Sequence, residues 1–588
     1  MHKADAPAKF AADFRLLAKV WPFLKEERRF VIVTMLLIPV VSLLAMALPL
    51  VTKHTIDEGV LKGDYKYVTY GATVYFVLVV SEYLVRAAQT LLTARSVHRM
   101  VRNMRMHLVR HVLTLAPKFH DQNLSGALVT RATSDFDNLS ESLNQGVLTA
   151  IVDVVVLTGA VVGLFVLDAK LALSVLVILP LVSIIVVTFS KAMKKAMLAA
   201  RVKIAALNAY TQECLMGSVT IKLLNAQKYV SRKFLDMAID YRDAQMRSVV
   251  LDAFMFSVLD GISAITLGVV LWFAISQIPG QQDNAVSLGV MVAFVSYIQN
   301  IFEPLKQLGN KIAMMQGVFT SLDRIFSLLE RTDFIQGTDT SPLRSGHIKF
   351  DNVSFSYQGK DNAKKQLNGI NFEVKDKGSL AIVGKTGSGK TTIIKLLSKM
   401  YEGYEGRITI DGTDIAAIDP HYLRQNIAIV PQDVALFEGT IAFNVSLGEA
   451  KYSDQEIEQA CRLVGAHDFI SALPQGYQTS IREGGHNLSQ GQRQLIAFAR
   501  ALLKRPVLVI LDEATSAIDP VSEQAIQKAT LTLLKSFTVI VIAHRLSTIK
   551  HCDEIILIDK GTVSEHGSHD ELLDRKRAYF NLYNALAT

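Results

Sequence analysis

Hydrophobic and polar positions change their pattern along this chain near Ser321. Before that point long apolar runs carry few charges; after it polarity is mixed, as in an α/β domain. From Phe10 onward, Phe14, Leu17, Val20, Trp21 and Leu24 recur at spacings of three and four and share one face of a helix whose other face carries Asp13, Arg15 and Lys19. Such a helix suits the membrane interface, with Lys25, Arg28 and Arg29 against headgroups, and equally suits packing on protein. Phe30 to Val51 then runs uncharged for 22 residues, enough to cross about 30 Å of hydrocarbon at a rise of about 1.5 Å per residue. Its Pro39 and Pro49 are tolerated in a transmembrane helix.

Five more spans are expected. They are about Val68 to Leu92, holding Glu82 and Arg86 one turn apart; Val147 to Leu167, holding Asp153; Leu171 to Ser190; about Val249 to Gln277, holding Asp252 and Asp260; and about Ala285 to Ile301. Arg95, Arg99, Arg102, Arg105 and Arg110 crowd the link from span two to span three, and Lys191, Lys194, Lys195, Arg201 and Lys203 the link from four to five. By contrast, spans three and four are joined only by Asp168-Ala169-Lys170, and spans five and six by a linker lacking Lys and Arg. Basic residues stay on the cytoplasmic side, so the N-terminus, both long links and everything after span six are expected there. Both links read as helices continuing the spans, each broken by a turn, near Pro117 to Gly126 and Glu213 to Val219. Thr332 to Gly346, rich in Asp, Thr, Ser and Gly, reads as a linker before strand-like Ile348 to Phe355.

Composition narrows the class. Half of the 588 residues are hydrophobic, high for a soluble protein. Three scattered cysteines without Cys or His neighbours at ligand spacing indicate neither a disulfide framework nor a zinc site. The net charge of +8 sits largely beside apolar segments, which membrane topology accounts for, so nucleic acid is not an expected partner. Met1 to Lys9 begins no signal peptide.

The chemistry is carried by Gly384-Lys385-Thr386-Gly387-Ser388-Gly389-Lys390-Thr391, which follows the apolar run Leu380 to Val383 and precedes a helical pattern starting at Thr392. Strand, glycine-rich loop and helix in that order make a phosphate cradle: backbone N–H groups converge on phosphate oxygens, Lys390 reaches the β- and γ-phosphates, and the Thr391 hydroxyl can sit on Mg²⁺. ATP with Mg²⁺ is therefore the expected ligand, and Thr392 is counted with the loop. Leu508 to Leu511 reads as a buried strand ending in Asp512, suited to hold Mg²⁺ through water, and Glu513, suited to polarise the attacking water. Asn487 to Gln492 opens a helix whose Ser489 and Gly491 make a second anion site.

With these residues in hand the chain resembles the ATP-binding cassette (ABC) transporters. Leu488-Ser489-Gln490-Gly491-Gln492 is similar to the family signature, with Gln490 in place of the commoner glycine. The resemblance implies that Tyr357 stacks on adenine, that Gln432 senses Mg²⁺ and contacts the membrane domain, and that Glu483 is the acidic residue preceding the signature. It further implies that Ser516 to Asp519 communicates between opposed sites and that His544 contacts the γ-phosphate. It also implies a dimer in which one P-loop and the partner's Ser489, Gly491 and Gln492 close on one ATP; a homodimer is expected, and a heterodimer stays open.

The expected fold is a six-helix transmembrane domain with long cytoplasmic helical extensions, fused to a cytoplasmic α/β P-loop ATPase domain. Its divisions are 1–29 (interfacial helix), 30–331 (membrane domain), 332–346 (linker) and 347–588 (cassette). This resembles a half-size type IV exporter of the group holding the lipid A flippase and bacterial multidrug exporters, whose hairpin tips dock in the partner cassette, here near Pro117 to Asn123 and Glu213 to Val219. The implied activity is ATP-driven export of amphipathic or lipophilic compounds across a bacterial inner membrane, with a lipid flippase as the alternative and an ATP-gated receptor or channel as a more distant one. Asp153, with no basic residue within a helical turn, points to an acidic cavity and cationic cargo. Against lipid A stands the scarcity of basic residues in the spans, where only Lys306 resembles a phosphate clamp.

Overall fold

The computed structural model describes residues 14–123, 125–276, 287–357, 365–512, 520–543 and 545–587. The chain forms two compact units. One comprises Met1–Leu113 with Ser125–Arg331, the other Thr114–Leu124 with Thr332–Thr588.

The first unit is helical. Its elements are α1 (Phe14–Leu24), α2 (Arg28–His54), α3 (Tyr65–Thr114), then in the second unit the short α4 (Pro117–Gln122), and again in the first α5 (Ser125–Ala132), α6 (Ser134–Ser142), α7 (Leu148–Leu167), α8 (Ala169–Met216), α9 (Ser218–Leu223), α10 (Gln227–Ser276) and α11 (Leu288–Leu329). Spans and links are continuous helices, as the charge pattern implied: α3 has 50 residues, about 75 Å at a rise of about 1.5 Å per residue. Among the described residues seven stretches are long and apolar enough to cross a membrane, and the last two, Leu288–Gln307 and Asn310–Leu329, both lie in α11. Gln277 and Ala285, expected as span ends, fall outside the described residues.

Local rules account for the helix starts. Asp168 caps α8, its carboxylate accepting from the N–H groups of Lys170 and Leu171. Ser287 caps α11 through the Val290 N–H, and Asp57 accepts from both Ser287 Oγ (2.6 Å) and the Gly289 N–H (2.9 Å). The span interiors meet where side chains are small: a Cβ on Gly163 of α7 would lie 2.6 Å from the ring of Tyr297 in α11. Pro49 withdraws from α2 the N–H that would meet the Ala45 carbonyl, and the next carbonyl along, that of Met46, accepts the Tyr297 hydroxyl at 2.6 Å.

Most charges inside the apolar segments are paired, which corrects the expectation of an acidic cavity at Asp153; Asp252 of α10 differs, its Oδ1 being buried without a hydrogen-bond partner among the described residues. Lys311 of α11, only 7% exposed, forms an ion pair with that carboxylate. Its position 158 residues away put it beyond any reading of helical neighbours. Lys306 pairs with Asp260 at 2.5 Å and approaches Glu303 at 3.9 Å, and Arg86 pairs with Glu82 at 2.6 Å.

The second unit carries the cassette. Twelve strands are described: β1 (Ile348–Phe355), β2 (Leu367–Val374), β3 (Ser379–Val383), β4 (Glu405–Ile410), β5 (Thr413–Asp414), β6 (Ile427–Val430), β7 (Gly439–Thr440), β8 (Ser480–Ile481), β9 (Leu508–Asp512), β10 (Thr538–Ile542), β11 (Glu554–Asp559) and β12 (Thr562–Gly567). The main sheet runs β12-β11-β3-β10-β9-β6, parallel except for β12, and an antiparallel sheet runs β2-β1-β4-β5. Every residue of β3 is buried because the sheet is covered on both faces: Ala381 and Val383 enter one core, Leu380 and Ile382 the other. Parallel strands end together, so β3, β9 and β6 deliver their following loops to one edge.

The first hairpin tip packs on the cassette of its own chain. Asp121 of α4 accepts from Lys395 Nζ at 2.7 Å and from the Tyr401 hydroxyl at 2.9 Å. The docking observed for this tip is therefore within one chain, where the family resemblance implied the partner. The second turn breaks at Gly217, between α8 and α9, and its Leu215, Met216, Val219 and Leu223 are exposed.

Candidate nucleotide site

The loop Gly384 to Gly389 joins β3 to the helix Lys390–Leu397, here α12, and two of its glycines are required by packing. Gly384 has φ +150 and a Cβ there would lie 2.3 Å from the Ile558 carbonyl oxygen; Gly389 has φ +114 and a Cβ would lie 2.6 Å from Leu367. Gly387, at φ +79, faces open space, so its constraint is conformational alone.

Lys390 is 6% exposed and donates to the carbonyls of Gly384 (2.7 Å) and Lys385 (3.0 Å), which ties its ammonium across the loop it terminates. Burial pushes its pKa down, and the nearby Asp512 carboxylate opposes that shift. A cavity of about 350 Å³ opens over the loop, lined among others by Thr386, Gly387, Lys390, Thr391, Gln432 and Asp512. Three separate stretches of sequence thus meet: the loop after β3, the end of β9, and Gln432 just after β6. Thr391, Gln432 and Asp512 offer a hydroxyl, an amide carbonyl and a carboxylate, the hard oxygen donors that suit Mg²⁺. Gln366 also lines the cavity and donates to the Gly387 carbonyl at 3.1 Å. Sequence reading missed it because Gln366 precedes β2, outside any phosphate motif.

Tyr357 lies beside this cavity's Thr392, hydroxyl to hydroxyl at 3.1 Å, and its ring meets Phe355 and Tyr401 edge-on at 5.0 Å each. Ser489 begins the helix Gln490–Leu503 with a reciprocal cap: Ser489 Oγ accepts from the Gln492 N–H (3.2 Å) and Gln492 Oε1 from the Ser489 N–H (3.0 Å). Ser489, Gly491 and Gln492 do not line the 350 Å³ cavity, so the chain carries two phosphate-type elements that it does not itself bring together. Glu483 opens the short turn Glu483–Gly485, in which Gly484 (φ +67) and Gly485 (φ +71) are left-handed. Glu513, Ser516 to Asp519 and His544 lie outside the described residues.

Two family models match the chain, one described as ABC transporter transmembrane region over residues 31–305, the other as ABC transporter over residues 367–516. The chain belongs to the ABC transporter family. It is 33% identical to an uncharacterized ABC transporter ATP-binding protein, YknV, of Bacillus subtilis (strain 168), over 99% of this chain and 95% of that one. It is also 33% identical to an ATP-dependent lipid A-core flippase of Haemophilus influenzae (strain 86-028NP), over 96% of each. Among solved structures, a bacterial Atm1-family ABC exporter with ATP bound superposes with a TM-score of 0.77 at 26% identity, covering 95% of this chain and 98% of that one. As an ABC transporter the chain couples a nucleotide-binding cassette to membrane helices in one polypeptide.

Proposed function

We propose that this ABC transporter hydrolyses ATP in a dimer and uses it to move an amphipathic or lipophilic compound across the bacterial inner membrane by alternating access. The cavity that joins Lys390, Thr391, Gln432 and Asp512 is the observation that carries the reading. There Lys390 neutralises the β- and γ-phosphates, and a Mg²⁺ ion held by Thr391, Gln432 and Asp512 would supply charge neutralisation at the transferring phosphoryl group. Glu513 orients the attacking water and His544 contacts the γ-phosphate. Tyr357 stacks on adenine. The Ser489, Gly491 and Gln492 surface of a second copy, with its Asp519 loop, completes each site, so nucleotide binding draws two cassettes together and hydrolysis frees them. Six crossings, with α11 crossing once, keep both basic links and the cassette in the cytoplasm.

Within that reading the paired charges bear on the cargo. Asp153–Lys311 and Lys306 with Asp260 balance two of the span carboxylates and leave Asp252 of α10 without a cation beside it among the described residues, so a neutral or zwitterionic amphiphile fits at least as well as a cation, and a lipid flippase is the favoured second reading. ATPase activity of the full chain in nanodiscs, titrated with phospholipids, lipid A and cationic amphiphiles, is the test. Stimulation by lipids, with activity down by about 10²-fold or more in Glu513→Gln, is expected. Activity that survives that substitution would break the hydrolytic assignment, and stimulation by cationic amphiphiles alone would break the cargo assignment.

A further inference from the structure

The base end of the nucleotide cavity and the tip of the first cytoplasmic hairpin are joined by side chains that no phosphate motif contains. Tyr401 is 6% exposed and stands edge-on to Tyr357, ring centroids 5.0 Å apart at 86°. Its hydroxyl donates to Asp121 Oδ2 at 2.9 Å, and the same oxygen takes Lys395 Nζ at 2.7 Å. Lys395 also lies over the Tyr401 ring, 5.4 Å from its centroid. Lys395 belongs to α12, the helix opened by the phosphate loop, so phosphates and base have separate routes to Asp121: one along α12, the other through two aromatic rings.

The polarity of this link is fixed. The hydrogen bond from Lys395, followed by that from Tyr401, outweighs burial and holds the Asp121 carboxyl below its ordinary range. Burial first, and Asp121 second, push the Tyr401 phenol far up. Around neutral pH Tyr401 is the donor and Asp121 the acceptor, so the bond is made or broken by movement of the ring or of the tip and not by titration.

We propose that Tyr401 is a positioning residue through which the first hairpin tip reads the nucleobase: a base stacked on Tyr357 sets the Tyr401 ring, and the ring's hydroxyl holds Asp121. The proposal rests on Tyr357 being the base-stacking residue. An edge-to-face contact depends on the tilt of both rings, which a stacked base restricts and a bare phosphate chain does not. Asp121 lies in the segment Thr114–Leu124, which belongs to the cassette unit yet continues in sequence from α3 into α5, so order gained there is delivered to the ends of two membrane-unit helices.

The test is hydrogen exchange on the full chain in nanodiscs, carrying Glu513→Gln to prevent turnover, with Mg²⁺ and either ATP or inorganic triphosphate. ATP is expected to slow exchange both at 384–391 and at 114–124, and triphosphate at 384–391 alone. Tyr401→Phe is expected to lose about ten-fold of the ATP-induced protection at 114–124 while that at 384–391 stays within about two-fold. Asp121→Ala, which removes the acceptor of both Tyr401 and Lys395, is expected to lose at least as much, and the double variant to be no worse than Asp121→Ala alone. Equal protection of the tip by triphosphate, full tip protection in both variants, or no tip protection by ATP in the parent would each overturn the proposal while leaving the nucleotide site intact. Failure of ATP to protect 384–391 would overturn the nucleotide reading beneath it.

Discussion

The cassette and the membrane unit use the same apolar residues in opposite ways. In the cassette, β3, β9 and β10 bury side chains on both faces, and polar chemistry is confined to the edge where those strands end. In the membrane unit the large apolar side chains Leu36, Leu43, Phe76, Val177 and Trp272 face outward, and the charges Asp153 and Lys311 are turned toward each other. Water surrounds the first and hydrocarbon the second, so the costly group is an exposed leucine in one and an unpaired carboxylate in the other. A charge in the cassette is therefore free to serve chemistry, whereas Asp153, Asp260 and Glu82 between the spans are each balanced by a basic side chain.

That contrast breaks most sharply at two of the buried lysines, Lys390 and Lys311. Lys390→Met should lower ATP hydrolysis by roughly 10²- to 10³-fold, because on the proposed reading it removes the cation that meets the transferring phosphate oxygens. The same variant should keep the parent's thermal unfolding profile in detergent, since Lys390 bonds only loop carbonyls and a loss of fold would contradict that placement. Lys311→Met should do the reverse. It strands the Asp153 carboxylate, costing about 3–5 kcal/mol of stability, while Lys311→Met with Asp153→Leu recovers most of it. Equal unfolding temperatures for the single and double variants would show that the pair carries no such burden.

A smaller effect sharpens the cassette side. Burial raises the Asp411 carboxyl, but hydrogen bonds from Ser345 Oγ and from the N–H groups of Arg344, Ser345 and His347 outweigh it and bring the group from 3.8 to about 2. A carboxyl lowered on folding contributes stability that is complete above about pH 4 and is lost as pH falls toward 2. Largely solvated, it should be worth about 1 kcal/mol. Urea unfolding of the full chain followed by circular dichroism should find Asp411→Asn less stable at pH 6, with the gap narrowing toward pH 3; a constant gap would mean that the carboxylate charge is not what holds Ser345.

How much of this was legible in the residue order follows the same division. The phosphate loop, Asp512 and Gln432 were readable because each is a short local pattern at a strand end, and the sheet converts sequence order into one shared edge. The long helices and their two breaks were readable from periodicity and charge. Lys311 was not, since its partner lies on another helix and no local period links them. Gln366 and Tyr401 were missed for a related reason: each reaches the site from outside the loop, by packing. The tip at Asp121 was placed correctly along the chain, but which cassette it meets is a tertiary fact.

Pro49, Gly163 and Tyr297 belong to three different helices, yet each makes room or need for the next. The proline disturbs α2 near the Met46 carbonyl, the tyrosine answers that carbonyl, and the glycine admits the ring that does so. A side chain larger than hydrogen at position 163 evicts the ring, and a phenylalanine at 297 removes the hydroxyl that bonds the Met46 carbonyl. The three positions thus form one joint between helices, in which the fit at each depends on the other two.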